Sequence, residues 1–252
     1  MTPDEYVSQV LQKYKDSENE ILQVETLAES VSKDLTVWAN DCLSSISFSG
    51  AFAKGTTVKG SSDIDLFISL KSSTSNSLKE IYESLLDLAS EKNWNPRPQN
   101  VSVRIIQGNY KIDLVPAKKQ SNYQNWHSLY KSKTETWTQT NVASHILTVQ
   151  NSNRIDEIRA IKIWRNLNNL EFPSFYLELT VINALYGKRR NIAENVLAAL
   201  NYIAKYFPNL RVIDPANTNN VISNDLSSEE KSYIAQVAKA SASQSSWGSI
   251  IW

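Results

Sequence analysis

The sequence predicts an α+β fold, with strands gathered in the first half, helices throughout, and a second half made of helices. Three observations carry this. Residues 46–49, 64–70, 101–105 and 110–115 have the apolar, β-branched composition of strands, bounded by Gly, Ser, Asn and Pro. Residues 18–43 and 78–89, and several segments beyond residue 155, repeat apolar side chains at steps of three and four. Between the strands lie short polar turns rather than long structureless loops.

In chain order, Thr2-Pro3-Asp4-Glu5 opens the first helix. Thr2 caps it, Pro3 suits the first turn because no N–H is needed there, and Glu5 closes a capping box. Tyr6, Val7, Val10, Leu11 and Tyr14 then follow helical spacing. A longer helix is expected over 18–43, with Ile21, Val24, Leu27, Ala28, Val31, Leu35, Trp38 and Cys42 facing a core. Two strands, 46–49 and 64–70, enclose a glycine-containing loop. Leu78, Ile81, Tyr82, Leu85, Leu86, Leu88 and Ala89 line an amphipathic helix that Asn95-Pro96-Arg97-Pro98 breaks. Val101, Val103 and Ile105 alternate with polar residues. Gly108-Asn109 then turns the chain, and the strand 110–115 returns until Pro116 ends it. Residues 118–153 show no clear period. Beyond them, helices are expected over 155–167, from Pro173-Ser174 onward, over 192–207, and after a Ser227/Glu230 capping box. Asp214-Pro215-Ala216-Asn217 is a turn. The expected division is a first lobe over 1–150, a helical lobe over 151–252, and the helix 18–43 spanning both.

The chemistry concentrates in residues 49–70, SGAFAKGTTVKGSSDIDLFISL. Alternate strand side chains share a face, so Asp63 and Asp65 project together. Two adjacent carboxylates repel unless a cation neutralises them. Asp113, between Ile112 and Leu114 on the later strand, adds a third acid. Three such oxygen donors suit Mg²⁺, with substrate phosphates completing the shell. The loop before them holds Gly50, Gly55 and Gly60, three of the chain's 6 glycines. Glycine permits close backbone approach to a ligand, and a turn of this kind aims N–H groups at an anion. Lys54 and Lys59 add charge; Thr56, Thr57, Ser61 and Ser62 add hydroxyls. The set predicts a triphosphate held against metal ions. A P-loop is excluded, because no Gly-x-x-x-x-Gly-Lys-[Ser/Thr] string occurs.

The totals narrow the substrate. The chain has 252 residues, 41% hydrophobic, and its 26 Lys plus Arg balance 26 Asp plus Glu. A protein that lives on a long nucleic-acid backbone is usually basic, so neutrality favours small nucleotides. The single cysteine, Cys42, forms no internal disulfide and is expected to be a small core residue in a reducing, cytoplasmic setting. No basic region followed by an apolar run opens the sequence, and no apolar run is long enough to cross a membrane, so neither a signal peptide nor a membrane partner is expected. His127 and His145 have no zinc-spaced companions and read as ordinary surface or core histidines.

The stretch with KGT and SSDIDLFI resembles the nucleotidyltransferase motif of the polymerase β superfamily, and is similar to cGAS/DncV-like enzymes, oligoadenylate synthetases and archaeal-type CCA-adding enzymes. IDLVPA over 112–117 is similar to the third-carboxylate strand of the cGAS/DncV-like enzymes. IRAIKIWRN followed by FPSFYLEL looks like the helix pair that closes over the nucleotide in the synthetases and cGAS. The resemblance implies a polymerase β-like core with a mixed sheet and helices behind it, plus a C-terminal helical domain. It implies Asp63, Asp65 and Asp113 as catalytic metal ligands for two Mg²⁺ ions, with Mn²⁺ as an alternative. It also implies nucleotide contacts at Gly50, Ala51, Lys54, Lys162, Ser174 and Phe175. Phe175 reads equally as a base-stacking ring and as core packing. One departure is visible: Ala51 stands where the pattern has Ser, so a hydroxyl donor is missing while the backbone N–H survives.

The expected reaction is two-metal nucleotidyl transfer. Metals roughly 3.5–4 Å apart clamp the attacking hydroxyl and the leaving pyrophosphate, and Lys54 and Lys162 neutralise the released charge. The expected product is a cyclic or linear oligonucleotide second messenger made from NTPs by a monomer, of the kind used in antiphage defence. Open alternatives are nucleotide addition to an RNA 3′ end, AMP transfer to a protein, and a nucleotide-binding sensor that has lost catalysis, for which Ala51 is the support.

Overall fold

The structure, a computed structural model, describes residues 1–61, 63–121 and 125–252. The first helix, α1 (Pro3–Lys13), starts as expected: Thr2 and Glu5 form the capping box and Pro3 lies in the first turn. Helix α2 (Glu18–Ala39) opens on a second capping box, Ser17 with Glu20. It ends earlier than the apolar spacing predicts. Asn40 takes φ +45°, a region that Asn enters more readily than most residues. A 3₁₀ turn over Asn40–Cys42 then leads into β1 (Leu43–Phe48). Cys42 therefore packs from that turn, not from the helix, as a partly buried companion of the sheet core.

A short helix α3 (Gly50–Lys54) and a loop lead to β2 (Ile64–Leu70). Helix α4 (Leu78–Glu91) carries Ile81, Tyr82, Leu85 and Ala89 on its buried face. Next come β3 (Arg97–Pro98), β4 (Val103–Gln107) and β5 (Tyr110–Lys119). Pro116 does not end β5. It sits opposite Ile68 in the parallel ladder with β2. On the other edge, pairing to β4 stops at Leu114 and the next ladder resumes only at Lys118. A proline, which has no N–H to give, is tolerated in such a gap.

The stretch without period contains β6 (His127–Lys131), β7 (Thr136–Thr140) and α5 (Val142–Asn151). The β6–β7 pair is an antiparallel extension of β5, whose polar residues hide its period. The rest is helical: α6 (Ile155–Leu167), α7 (Ser174–Ala184), α8 (Ile192–Tyr206) and α9 (Ser228–Ala242), the last with the expected Ser227/Glu230 box.

The sheet runs β1-β2-β5-β4-β3, with β6 and β7 extending from β5. It is mixed: β2 and β5 are parallel, and the other pairs are antiparallel. Ile64, Leu66, Ile68, Val103, Ile105, Ile112 and Leu114 form one apolar face with residues of α2 and α4. The opposite face carries the acids.

The chain divides into two compact units that no single cut at residue 150 produces. One comprises Ser17–Lys54 and Ser62–Ile146, and holds the sheet together with all of α2. The other comprises Met1–Asp16, Gly55–Ser61 and Leu147–Trp252. Helix α1 and the loop 55–61 join the helical unit because Val7, Val10, Leu11 and Val58 are buried in its core beside Trp164, Tyr176 and Phe207.

Candidate active site

Strand β2 sets the site by its pleat. Ile64, Leu66 and Ile68 are almost fully buried on the core face, so Asp65 projects from the other face and Asp63, just before the strand, flanks it. Strand β5 repeats the arrangement: Ile112 and Leu114 are fully buried and Asp113 lies between them. The parallel register pairs Asp65 with Asp113 directly. The three acids predicted to act together thus come together within one unit.

The turn before β2 is built around Asp65. Ser49 N–H donates to the Asp65 carbonyl at 2.8 Å. Gly50 has φ +55°, and a Cβ on it would lie 1.7 Å from Asp65 Oδ2. Gly50 is thus required twice, by its backbone conformation and by the carboxylate pressed against it. Ala51 follows in α3, and Lys54, at the end of that helix, is buried. Burial pushes the Asp65 carboxyl up to about 7, and the charges of Asp113 and Asp63 add to the effect; Lys54 and Arg104 act in the opposite sense.

Arg104, to which no local motif points, joins the acids. On β4 it lies opposite Asp113. Its Nε donates to Asp113 Oδ1 at 2.8 Å and its Nη2 to Asp113 Oδ2 at 2.9 Å, while the same Nη2 donates to Asp63 Oδ2 at 2.6 Å. The signal was present in the sequence. A two-residue turn at Gly108-Asn109 pairs Gln107 with Tyr110 and, counting back along the hairpin, Arg104 with Asp113.

The donor chemistry fits a hard divalent cation: three carboxylates on or beside neighbouring strands, one of them held above its usual pKa by burial and by the other two. The acids are not closed into a ready cage, however. Among the described residues, no group of three or more His, Cys, Asp or Glu side chains is arranged to hold a metal ion. One guanidinium nitrogen is instead shared between Asp63 and Asp113.

The remaining predicted contacts lie in the helical unit. Lys162 is turned inward, its side chain 3% exposed; Nζ donates to Glu178 Oε1 at 2.7 Å and to Thr56 Oγ1 at 2.8 Å. Thr56 also donates to Glu178, so this hydroxyl of the glycine loop belongs to a buried network. Ser61 bonds to Asn166, and Ser62 lies outside the described residues. Ser174 is exposed at the start of α7 and accepts a hydrogen bond from Arg165 at 3.1 Å. Phe175 is half-buried against the helical core. His127 is a buried residue beside Ser69, 2.8 Å from its hydroxyl, as a core histidine would be. Trp137 is exposed, whereas Tyr130 packs on Tyr82.

The mixed sheet, with Asp63 just before β2, Asp65 on it, Asp113 on its parallel neighbour and the Gly50 turn against β2, is the layout that the motif resemblance leads one to expect. Comparison with solved structures bears this out for the fold. CdnC of E. coli MS115-1, solved with ATP, superposes with a TM-score of 0.76 at 18% identity, over 96% of this chain and 90% of that one. The Bradyrhizobium diazoefficiens CD-NTase CdnG, in complex with GTP, gives a TM-score of 0.79 at 10% identity, over 94% and 90%. The Elizabethkingia meningoseptica cyclic dinucleotide synthase CdnE, with GTP and Apcpp, gives 0.66 at 11% identity, over 91% and 100%. No family model matches the sequence, and no curated protein does. The fold is therefore the cGAS/DncV-like nucleotidyltransferase fold, as the motifs implied.

Proposed function

We propose that the chain is a metal-dependent nucleotidyltransferase that joins NTPs into a cyclic or linear oligonucleotide messenger and releases pyrophosphate. The observation that carries this is the pairing of Asp65 with Asp113 across parallel strands, with Gly50 held against the Asp65 carboxylate. The likeness to structures that hold ATP or GTP supports a nucleotide substrate, and that to a cyclic dinucleotide synthase supports the product class.

Asp63, Asp65 and Asp113 would hold Mg²⁺ or Mn²⁺, which when bound supplies charge to the triphosphate and lowers the pKa of the acceptor hydroxyl. The Gly50 turn and the Ala51 N–H approach phosphate oxygens, and Lys54 adds positive charge there. Ala51 offers only its N–H, so the site relies on backbone donors. Ser174 and Phe175 contribute a hydroxyl and a ring to the nucleotide. A phosphate role for Lys162 requires its amine to exchange Glu178 for the ligand. An ion pair this well buried gives Lys162 a second role, holding the Thr56 loop. Cytoplasmic action in antiphage defence is the setting proposed. Among the described residues, no helix is long and apolar enough to cross a membrane.

The test is incubation of purified protein with single and mixed NTPs plus Mg²⁺ or Mn²⁺, read by chromatography and mass spectrometry. Small oligonucleotides that vanish in Asp65→Asn and Asp113→Asn are the expected result. Label transfer only when RNA is added would replace this reading with RNA 3′-end addition. Nucleotide binding without pyrophosphate release under every mixture would replace it with a sensor.

A further inference from the structure

Arg104 occupies an unusual position for a strand residue. Its guanidinium is a fork fixed by the hairpin register, bidentate on Asp113 and joined through one nitrogen to Asp63. The three side chains differ in exposure: Asp113 is 15% exposed, Arg104 25% and Asp63 37%. The bidentate half of the bridge is thus the better buried, and the bond to Asp63 is single and open to solvent. Bidentate guanidinium–carboxylate pairs are the stronger and more directional kind. A carboxylate oxygen that accepts from a guanidinium has less capacity left for a metal, and a fixed cation repels an arriving one.

We propose that Arg104 is a positioning residue that serves as the resident counter-cation of the acid site, and that divalent metal binds in competition with its bridge to Asp63. Metal entry breaks the Arg104–Asp63 bond, while the fork stays on Asp113 and fixes the orientation of that carboxylate. The bridge thus keeps the metal-free acids from repelling one another and sets a threshold of metal for assembly of the site. This rests on the metal-dependent reading above.

The test is Mn²⁺ binding to the nucleotide-free full chain at pH 8, by electron paramagnetic resonance of free Mn²⁺, for the wild type, Arg104→Met and Arg104→Lys. Thermal melts with and without Mn²⁺ run in parallel. Arg104→Met is expected to bind Mn²⁺ about tenfold more tightly or better, the loss of one adjacent positive charge. Its metal-free melting temperature falls below that of the wild type, and saturating Mn²⁺ closes most of the gap. Arg104→Lys, which keeps the charge but not the fork, lies between in affinity. A residue with only a structural role would lower stability without tightening Mn²⁺ binding. Equal or weaker Mn²⁺ binding in Arg104→Met, with Asp113→Asn still abolishing it, would overturn the competition and leave the metal reading standing. Absence of Mn²⁺ binding in all forms would overturn both.

Discussion

Gly50 and Asp65 are one structural feature. Gly50→Ala introduces a methyl where the Asp65 carboxylate stands, on a backbone with positive φ. The carboxylate must move, so loss of NTP turnover is expected together with destabilisation of about 1–3 kcal/mol, measured by urea unfolding. At Asp65 stability and the proposed metal-binding role pull in opposite directions. Its carboxyl is raised from 3.8 to about 7, so ionisation is disfavoured in the folded state. The sign follows: the cost is absent below the unfolded value, grows as pH rises toward 7, and is fully present above it. Asp65→Asn removes that cost. In metal-free buffer at pH 8 it is expected to melt about 2–6 °C above the wild type, with the difference shrinking toward pH 4, while turnover is lost. A variant less stable than the wild type at pH 8 would show that Asp65 is not the strained group. Of this site, the sequence made the acids and the glycine legible because each lies within a recognisable local string. Arg104 was legible only through the register of a hairpin, which must be counted rather than recognised.

Among the elements, α6, α7 and the loop 55–61 are tied together by the Lys162–Glu178–Thr56 network. Removing one partner of a buried ion pair leaves an uncompensated charge. Glu178→Ala is therefore expected to cost about 3–5 kcal/mol in denaturant unfolding, and a paired apolar replacement of Lys162 and Glu178 to recover part of it. A cost below about 1 kcal/mol would mean that Lys162 readily finds another partner. The local signals at this scale were strong: capping boxes at Thr2 and Ser227 start α1 and α9 where expected. Where the elements depart from the local pattern, the cause is physical. The apolar spacing continues past Ala39, but the backbone of Asn40 does not. Pro116 reads as a strand end, yet it falls in a gap between two neighbouring ladders. Strands β6 and β7 escaped because Ser, Thr, Gln and Lys occupy positions that apolar residues usually mark.

For the whole molecule, the first sixteen residues form part of the helical unit's core, although they are far from it in sequence. Val7, Val10 and Leu11 are buried there, each worth about 1.5–3 kcal/mol when fully covered. Deleting residues 1–16 is expected to abolish cooperative folding of that unit, read by circular dichroism and calorimetry. Survival with an unchanged melting temperature would show α1 to be dispensable. The zero formal charge bears on the substrate. Turnover of free NTPs is expected to change less than about tenfold between 50 and 200 mM salt, because few phosphates are engaged at once; an enzyme that grips a long RNA would lose about 10³–10⁵ in affinity.

By itself the sequence determined what depends on neighbours a few residues apart: helix starts from capping groups, strand faces from alternation, and three acids and a glycine turn from short strings. Tertiary structure alone decided which distant groups meet. It joined the Arg104 guanidinium to Asp63 as well as to its hairpin partner Asp113, turned Lys162 inward to Glu178, and gave α1 and the loop 55–61 to the helical unit. The reason is physical. A cap or a pleat is satisfied within one turn or one strand, whereas the partner of a buried charge is set by which surfaces the folded chain brings together.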